Sequence, residues 1–174
     1  MPLYDASISN IIKTARIPRG SFYQYFEDKE DAFFFLLNEL TMEIKENFIY
    51  LLEENKGDLF ETMVEFFHLI IKGDENFHFL RNIFLNMNYK TESIFARSFR
   101  GHEINENYKE LSSRLDTSKL NIADEKELYS AMHIITAVTF RNFVEKFARE
   151  LSIEESLDNY NNELSLLKKG LVRK

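Results

Sequence analysis

Residues 7–29 read SISNIIKTARIPRGSFYQYFEDK and predict two short helices joined by a turn. The first half has the i, i+3, i+4, i+7 apolar spacing of a helix, at Ile8, Ile11, Ile12 and Ala15. The hydroxyl of Ser7 can accept a hydrogen bond at the start of this helix. Pro18 ends it because proline has no N–H, and its fixed φ suits a second helix over about residues 18–26. The stretch therefore predicts a helix-turn-helix.

The second predicted helix has one apolar face and one polar face. Phe22 and Phe26 lie at i and i+4 and are expected to bury, while the outward residues are Arg19, Ser21, Gln24 and Tyr25. Residues 1–29 carry four basic and three acidic side chains, although the chain has a net charge of −7, which leaves −8 for the remainder. A locally basic helix with arginine, glutamine and tyrosine suits the phosphates and base edges of DNA.

The same stretch resembles the helix-turn-helix of the TetR family of bacterial transcriptional repressors. Its most specific part is residues 20–29, GSFYQYFEDK. The resemblance implies DNA contacts from eight residues: Ser7, Arg19, Gly20, Ser21, Tyr23, Gln24, Tyr25 and Lys29. Packing is an alternative role for the tyrosines, and more so for Tyr23, whose ring could lie against the next helix. Lys13 and Arg16 fit solvated surface charges better than specific contacts.

The chain departs from the family pattern at three places. Arg16 replaces the usual turn glycine, which requires a strained backbone or a different turn. Pro18 replaces the usual serine or threonine cap. The family has a further helix before the motif, where this chain has only residues 1–6. We expect an N-terminal truncation, because the apolar side chains of the motif need more cover than remains.

Length and composition predict one or two small domains and allow a largely helical chain. The 174 residues are 44% hydrophobic, which is enough for a substantial core. Both prolines precede residue 20 and there are only five glycines, so the rest of the chain is free to be helical. The chain has no cysteine, no signal peptide and no apolar run as long as a membrane span, so we expect a cytoplasmic location and no membrane.

No motif of catalysis is present. The sequence has no glycine-rich phosphate loop, nucleophile elbow or paired acid–base motif, so it predicts neither an enzyme nor a bound cofactor. The histidines are His68, His78, His102 and His133. No two of them have the i, i+3 or i+4 spacing of helical metal ligands, so no metal site is expected.

The last two predicted helices, about residues 123–150 and 153–172, differ in their apolar patterns. The first has a broad stripe and the second a narrow, heptad-like seam. This combination suits a four-helix bundle shared by two subunits, and the TetR resemblance implies the same. The predicted dimer interface is Leu128, Ile135, Thr139, Phe143, Leu157, Tyr160, Leu164, Leu167 and Leu171.

Fifteen of the 17 phenylalanines follow Phe26. The simplest interpretation is core packing. The alternative, which the resemblance favours for the set, is a pocket for a small effector, with a predicted lining of Phe66, Phe67, Phe84, Phe95, Phe99, Met132, His133 and Phe140. An apolar or aromatic molecule, such as a fatty acyl chain, is expected because no central cluster of basic residues is present. His133 also fits a satisfied core histidine.

The sequence therefore predicts an all-α chain with two parts. Residues 1–32 form an incomplete three-helix DNA-binding domain with the helix-turn-helix, and residues 33–174 form a helical effector-binding and dimerisation bundle. The expected function is a ligand-responsive transcriptional regulator, a repressor that binds a palindromic double-stranded DNA operator as a homodimer. The alternative is a helical dimeric ligand- or partner-binding module that has lost DNA binding.

Overall fold

The computed structural model describes residues 7–73, 77–87, 90–91, 94 and 106–172. These residues form eight α-helices and one short 3-10 turn, with no β-strand among them, which confirms the predicted all-α fold. The helices are α1 (Ile8–Ala15), α2 (Arg19–Tyr23), α3 (Lys29–Glu54), α4 (Leu59–Lys72), α5 (Phe77–Leu85), α6 (Glu106–Ser113), α7 (Glu125–Ala148) and α8 (Ile153–Leu171).

Side-chain caps fix where the longer helices begin. An oxygen of each capping side chain accepts a backbone N–H of the first turn, which would otherwise lack a partner. The caps of α3, α4, α7 and α8 are Asp28, Asp58, Asp124 and Ser152. At α8, Glu155 completes a reciprocal capping box. Helices α7 and α8 accordingly begin close to the predicted residues 123 and 153.

An aromatic stack forms the centre of the body and joins four helices. The ring of Phe67 on α4 lies 4.2 Å from that of Tyr160 on α8 and 4.9 Å from that of Phe143 on α7. Phe84 of α5 continues the stack, 4.9 Å from Phe143 and 5.7 Å from Phe147. Phe67 and Tyr160 are completely buried. Burial of such large rings is the main source of stability for the body.

Ion pairs fasten α6 to the middle and end of α3. The Nζ of Lys45 donates to the carboxylate of Glu110 at 2.8 Å. Arg114, just beyond α6, pairs with Glu53 near the end of α3 and lies 3.7 Å from Glu110. Exposed pairs of this kind contribute little each, but together they set the position of α6 against α3.

The corner between α3 and α4 contacts the segment after α6 through Gly57. Gly57 has a φ of 79°, and its carbonyl accepts the N–H of Asp116 at 2.9 Å. A Cβ at this position would lie 2.5 Å from the Asp116 nitrogen and 2.7 Å from the carbonyl oxygen of Arg114. Only glycine combines this φ with such a close approach.

Helices α1 and α2 form a thin layer at the N-terminal end of α3. None of the residues of α1 is buried, whereas Phe22 of α2 is buried. The Phe22 ring packs 5.5 Å from that of Phe26, and Phe26 packs 5.6 Å from Phe35 of α3. These rings join the motif, hereafter called the head (residues 7–26), to the rest of the chain.

The turn after α1 and the length of α2 can both be compared with the sequence-based expectations. Arg16 ends α1 with φ 56° and ψ 40°, so of the two expected alternatives, a strained backbone or a different turn, the structure has the strained left-handed backbone. The second helix is shorter than predicted, because α2 ends at Tyr23. Residues 24–26 continue as a turn in which the Phe26 N–H donates to the Phe22 carbonyl at 3.0 Å.

Candidate functional site

Three of the four polar residues that the sequence assigned to the outer face of the head are exposed, and Ser21 is half-buried. Gln24 is exposed, and the side chain of Tyr25 is 77% exposed. Arg19 is also exposed, and its Nη2 donates to the Tyr23 hydroxyl at 3.3 Å while its guanidinium lies 5.7 Å from the Tyr23 ring centre. Tyr23 thus holds Arg19 in one position, which reduces the entropy lost when Arg19 binds a partner.

Ser7, Arg19 and Lys29 line a single surface depression. The N-terminal residues of α1 and α3 form its walls, and Ser7 caps α1 by accepting the Asn10 N–H at 3.1 Å. Helix N-termini and basic side chains both attract anions. Asp28 and Glu30 also line the depression and partly offset its positive potential. The arrangement can bind a phosphate group close to Arg19 and Lys29.

A cavity of about 70 Å³ lies inside the body where α3, α4, α5, α6 and α7 converge. Nearly all of the described residues around it are aliphatic or aromatic, such as Phe48, Ile70 and Leu111. Thr136 and Thr139 of α7 are the polar side chains among them. The cavity can therefore hold a small apolar molecule.

Thr139 connects the cavity to a buried hydrogen-bond pair between α7 and α8. Its hydroxyl lies 2.6 Å from that of Tyr160 and donates to the Ile135 carbonyl at 2.8 Å. Burial raises the pKa of the Tyr160 hydroxyl, and the hydrogen bond with Thr139 offsets only part of that rise. Tyr160 therefore stays neutral and donates to Thr139.

A second polar group fastens the outer side of the α7–α8 pair. The Asn142 side-chain amide donates to Glu163 at 2.8 Å, and Arg141 pairs with the same carboxylate. Partial burial acts to raise the pKa of Glu163, but the hydrogen bonds from Arg141 and Asn142 outweigh it and hold the pKa below its usual range. Because Arg141 is exposed, this ion pair marks the surface edge between the two helices.

The family described as tetracyclin repressor-like, C-terminal domain, matches residues 58–171. The matched span runs from the cap of α4 to the last residue of α8 and covers most of the chain. The chain belongs to the TetR family. It is a TetR-type regulator, and membership of this family indicates a regulatory protein rather than an enzyme. No curated protein matches the chain.

The TetR match covers most of the cavity but not the head. Of the residues lining the cavity, only Ile44 and Phe48 of α3 precede the matched span. The interpretation of the helix-turn-helix therefore depends on the residues of the head themselves. Among the described residues, no helix combines the length and apolar character needed to cross a bilayer.

The residues predicted to line a TetR effector pocket divide into three groups. Phe66, Phe84, Met132 and Phe140 line the cavity. Phe67 lies instead in the aromatic stack, and His133 points away from the lining, with its Nε2 3.0 Å from the Tyr129 hydroxyl. Phe95 and Phe99 lie outside the described residues.

Sequence reasoning assigned neither threonine to the cavity: it placed Thr139 in the dimer interface and did not select Thr136. Thr136 and Thr139 interrupt the apolar stripe that begins with Met132 and Ile135. A polar residue on an otherwise apolar helix face is informative, because it needs a hydrogen-bond partner inside the protein. That feature of the sequence could have identified them.

The residues predicted for the dimer interface lie at different depths within the single chain. Six of its nine side chains are buried within the single chain: Leu128, Ile135, Thr139, Phe143, Tyr160 and Leu164. They face their own core because α8 packs on α4 and α7 of the same chain, so they are not available to a second copy. Leu157, Leu167 and Leu171 are only half-buried. The most exposed apolar side chains of α7 and α8 are instead Ile134, at 51%, and Leu166, at 65%.

Proposed function

We propose that the chain is a ligand-responsive repressor that binds a palindromic DNA operator as a homodimer in the cytoplasm. The exposed polar face of the head carries this proposal. Gln24 and Tyr25 are open to solvent, and Arg19 is held on Tyr23 beside the depression that contains Lys29. Arginine, lysine, glutamine and tyrosine side chains of this kind suit the phosphates and base edges of a nucleic acid.

In the proposed complex, α2 enters the major groove. Arg19 and Gln24 are the candidates for base contacts, since arginine pairs with guanine and glutamine with adenine. Tyr25 and Lys29 suit phosphate oxygens. At Gly20, a Cβ would meet no atom within 4 Å. The glycine is therefore not required by packing, and its proposed role is to let the backbone approach the DNA closely.

The proposed dimer uses the outer surface of α7 and α8. Ile134 and Leu166 are exposed there, and Ala137 is exposed one turn from Ile134 on the same face. Ala137 lies one turn before Arg141 and Leu166 one turn after Glu163, and the Arg141–Glu163 pair joins the two helices, so we expect Ala137 and Leu166 on the same side. Apolar side chains that share an exposed face suit an interface between copies. The spacing of the two heads would then set the spacing of the half-sites.

The DNA-binding part is tested by selecting preferred sequences from a random DNA pool and titrating them at several salt concentrations. A repressor gives a palindromic preference and a steep salt dependence. Lys29→Ala should lower the salt slope by about 1, since one phosphate contact is lost. Lys169→Ala is the control, because Lys169 is an exposed lysine at the far end of the chain.

Tyrosine variants give a matched test of the exposed face of the head. Tyr25→Ala should weaken binding to the selected DNA at least about tenfold, in line with the loss of one charge-assisted contact. Tyr50 of α3 is similarly exposed, at 61%, but lies far along the helix from the head. Equal effects of Tyr25→Ala and Tyr50→Ala would contradict the proposed role of the head.

The dimer is tested by sedimentation of two leucine variants. Leu166→Glu introduces a charge into the proposed interface and should produce monomers. Leu69→Glu is the control, since Leu69 is an exposed leucine of α4, at 46%. Dissociation by Leu69→Glu and not by Leu166→Glu would refute the proposed surface.

A second candidate function has one observation in its favour. None of the residues of α1 is buried, so the head has little packing of its own to hold α2 against DNA. A helical module that binds a ligand or partner without binding DNA is consistent with this. The selection experiment separates the two functions, because such a module enriches no DNA sequence.

A further inference from the structure

Arg19 occupies a position that the stability of its own helix does not explain. It is the first residue of α2, and Pro18 before it makes no side-chain capping bond. A positive charge is unfavourable there, because the N-terminal end of the helix dipole is itself positive. The side chain of Arg19 is also exposed to solvent. An arginine at this position therefore does not stabilise α2 and is better explained by a binding partner.

Tyr23 holds Arg19 from one turn further along α2. Side chains at i and i+4 share one face of a helix. The Nη2 of Arg19 donates to the Tyr23 hydroxyl at 3.3 Å, and the guanidinium carbon lies 5.7 Å from the ring centre, within the range of a cation–π contact. Because the hydroxyl is neutral, it positions the guanidinium without neutralising its charge.

The Tyr23 ring is supported in turn by Phe22. The two rings meet edge to face, with their centres 5.5 Å apart and their planes at 87°, which is a favoured arrangement of aromatic rings. Phe22 is 2% exposed, whereas Tyr23 is 47% exposed. A buried ring thus supports a half-covered ring, which supports an exposed cation. This support removes part of the rotamer freedom that a long arginine side chain would otherwise lose on binding.

Contact with Tyr23 leaves the base-binding capacity of Arg19 intact. A guanidinium has five N–H donors in a planar fork, and the hydrogen bond to Tyr23 occupies one of them. A bidentate contact with O6 and N7 of guanine needs two donors. Arg19 can therefore be held by Tyr23 and pair with a guanine at the same time.

We propose that Tyr23 sets the base preference of the head by positioning Arg19 for guanine, and that it is not itself a phosphate contact. This inference rests on the proposed function, because it needs α2 in the major groove. It replaces, for Tyr23, the direct DNA contact that the family resemblance implies. A phosphate contact affects all sequences equally, whereas a positioning residue affects the preference for guanine at one place in each half-site.

A double-mutant cycle on the selected operator tests the inference. The base pair read by Arg19 is the one whose guanine preference is lost in Arg19→Ala. Tyr23→Leu should reduce that preference about threefold to tenfold, the gain expected from holding one long side chain in place. In the Arg19→Ala background, Tyr23→Leu should have almost no further effect. An equal loss in both backgrounds, or equal weakening at every base pair, would overturn the inference.

Tyr23→Phe repeats the cycle with a smaller change. It removes the hydroxyl and keeps the ring, so it should reduce the guanine preference by about twofold to threefold. The variant also preserves the contact of the ring with Phe22, which keeps the packing of the head intact. A loss of affinity in Tyr23→Phe that is independent of Arg19 would identify the hydroxyl as a direct DNA contact and contradict the inference.

Tyr25 supplies the matched control within the head. Its side chain is 77% exposed, and its ring lies 6.5 Å from that of Phe26, whereas the hydrogen bond of Arg19 is with Tyr23. Tyr25→Leu should weaken binding by the same factor with and without Arg19→Ala, since independent residues have additive effects. It should leave the guanine preference unchanged. Coupling to Arg19 as strong as that of Tyr23 would contradict the assignment.

NMR relaxation of the Arg19 Nε–H group in the full chain without DNA separates this inference from the proposed function. The order parameter of this group should fall in Tyr23→Leu and stay the same in Tyr25→Leu. An unchanged order parameter in Tyr23→Leu would refute the positioning role whatever the chain does with DNA. If the chain selects an operator but the cycle is additive, the repressor function stands and this inference fails. A chain that selects no DNA sequence refutes both.

Discussion

The head and the body are both helical, but they differ in how much apolar surface their helices bury. The body buries the rings of Phe67, Phe84 and Tyr160 in a stack that joins four helices. The head buries Phe22, while no residue of α1 is buried. A surface that binds DNA must be polar and exposed to solvent, whereas a site for an apolar ligand must exclude water. The head is therefore expected to be the least stable part of the described chain.

The largest expected effect contrasts two buried phenylalanines. Phe67→Ala removes the central ring of the body and should lower the free energy of unfolding by about 3–5 kcal/mol. Phe22→Ala should melt the head while leaving the main unfolding transition of the body nearly unchanged. Calorimetry follows the body, and hydrogen exchange follows the head. One transition that both variants shift equally would show that head and body unfold as one unit.

Two glycines give the next contrast. Gly57→Ala forces a Cβ to 2.5 Å from the Asp116 nitrogen at a φ of 79° and should cost about 2–5 kcal/mol. Gly20→Ala meets nothing within 4 Å and, inside a helix, should stabilise the head by about 0.5–1 kcal/mol. The same Gly20→Ala change should nevertheless weaken DNA binding. Unchanged DNA affinity would remove Gly20 from the proposed interface.

A smaller effect concerns Tyr160, whose hydroxyl is buried against Thr139. Tyr160→Phe should cost about 1 kcal/mol near neutral pH. Burial raises the folded pKa of Tyr160 above the unfolded value of about 10. The unfolded chain therefore loses this proton first, and stability falls as pH rises above about 10. Denaturant titrations should show a shallower alkaline decline for Tyr160→Phe, and an unaltered decline would contradict the assignment.

The smallest effect is at the end of α1. Arg16→Gly should stabilise the head by up to about 1 kcal/mol, because glycine adopts a φ of 56° without steric cost. Arg16→Ala retains the strain and removes the charge, so it separates the two contributions. Hydrogen exchange of α1 amides measures both. Equal protection in the two variants would show that charge, and not backbone strain, limits the stability of this turn.

Local signals in the sequence predicted the helices well. A glycine followed by an aspartate, as at Gly57 and Asp58, predicts the end of one helix and the start of the next, and α4 begins directly after Asp58. The end of α2 was less well predicted, since a two-phenylalanine spacing cannot distinguish a helix from a helix followed by a turn. The position of Phe22 and Phe26 against each other is the same in both cases.

The partner of an apolar seam could not be predicted from its spacing. The seam of α8 contains Tyr160 and Leu164, which pack inside the same chain. A heptad-like pattern predicts that a helix packs along a narrow apolar seam, but it does not indicate whether the packing partner belongs to the same chain or to a second copy. The exposed Leu166 lies outside that pattern and was not identified as a surface for a partner. Similarly, an abundance of phenylalanine predicted an apolar interior but could not assign Phe67 to the stack and Phe66 to the cavity wall.

Helix α3 is continuous and connects the head with the cavity, so a movement at one of them is transmitted to the other. Its 26 residues extend about 39 Å. Phe35 touches the head near one end, while Ile44 and Phe48 border the cavity further along. A rotation of only about 5° around Ile44 would sweep the tip at Lys29 through roughly 2 Å, enough to break a hydrogen bond to a base edge. A small displacement of α3 beside the cavity is thus expected to produce a larger displacement at its N-terminal end.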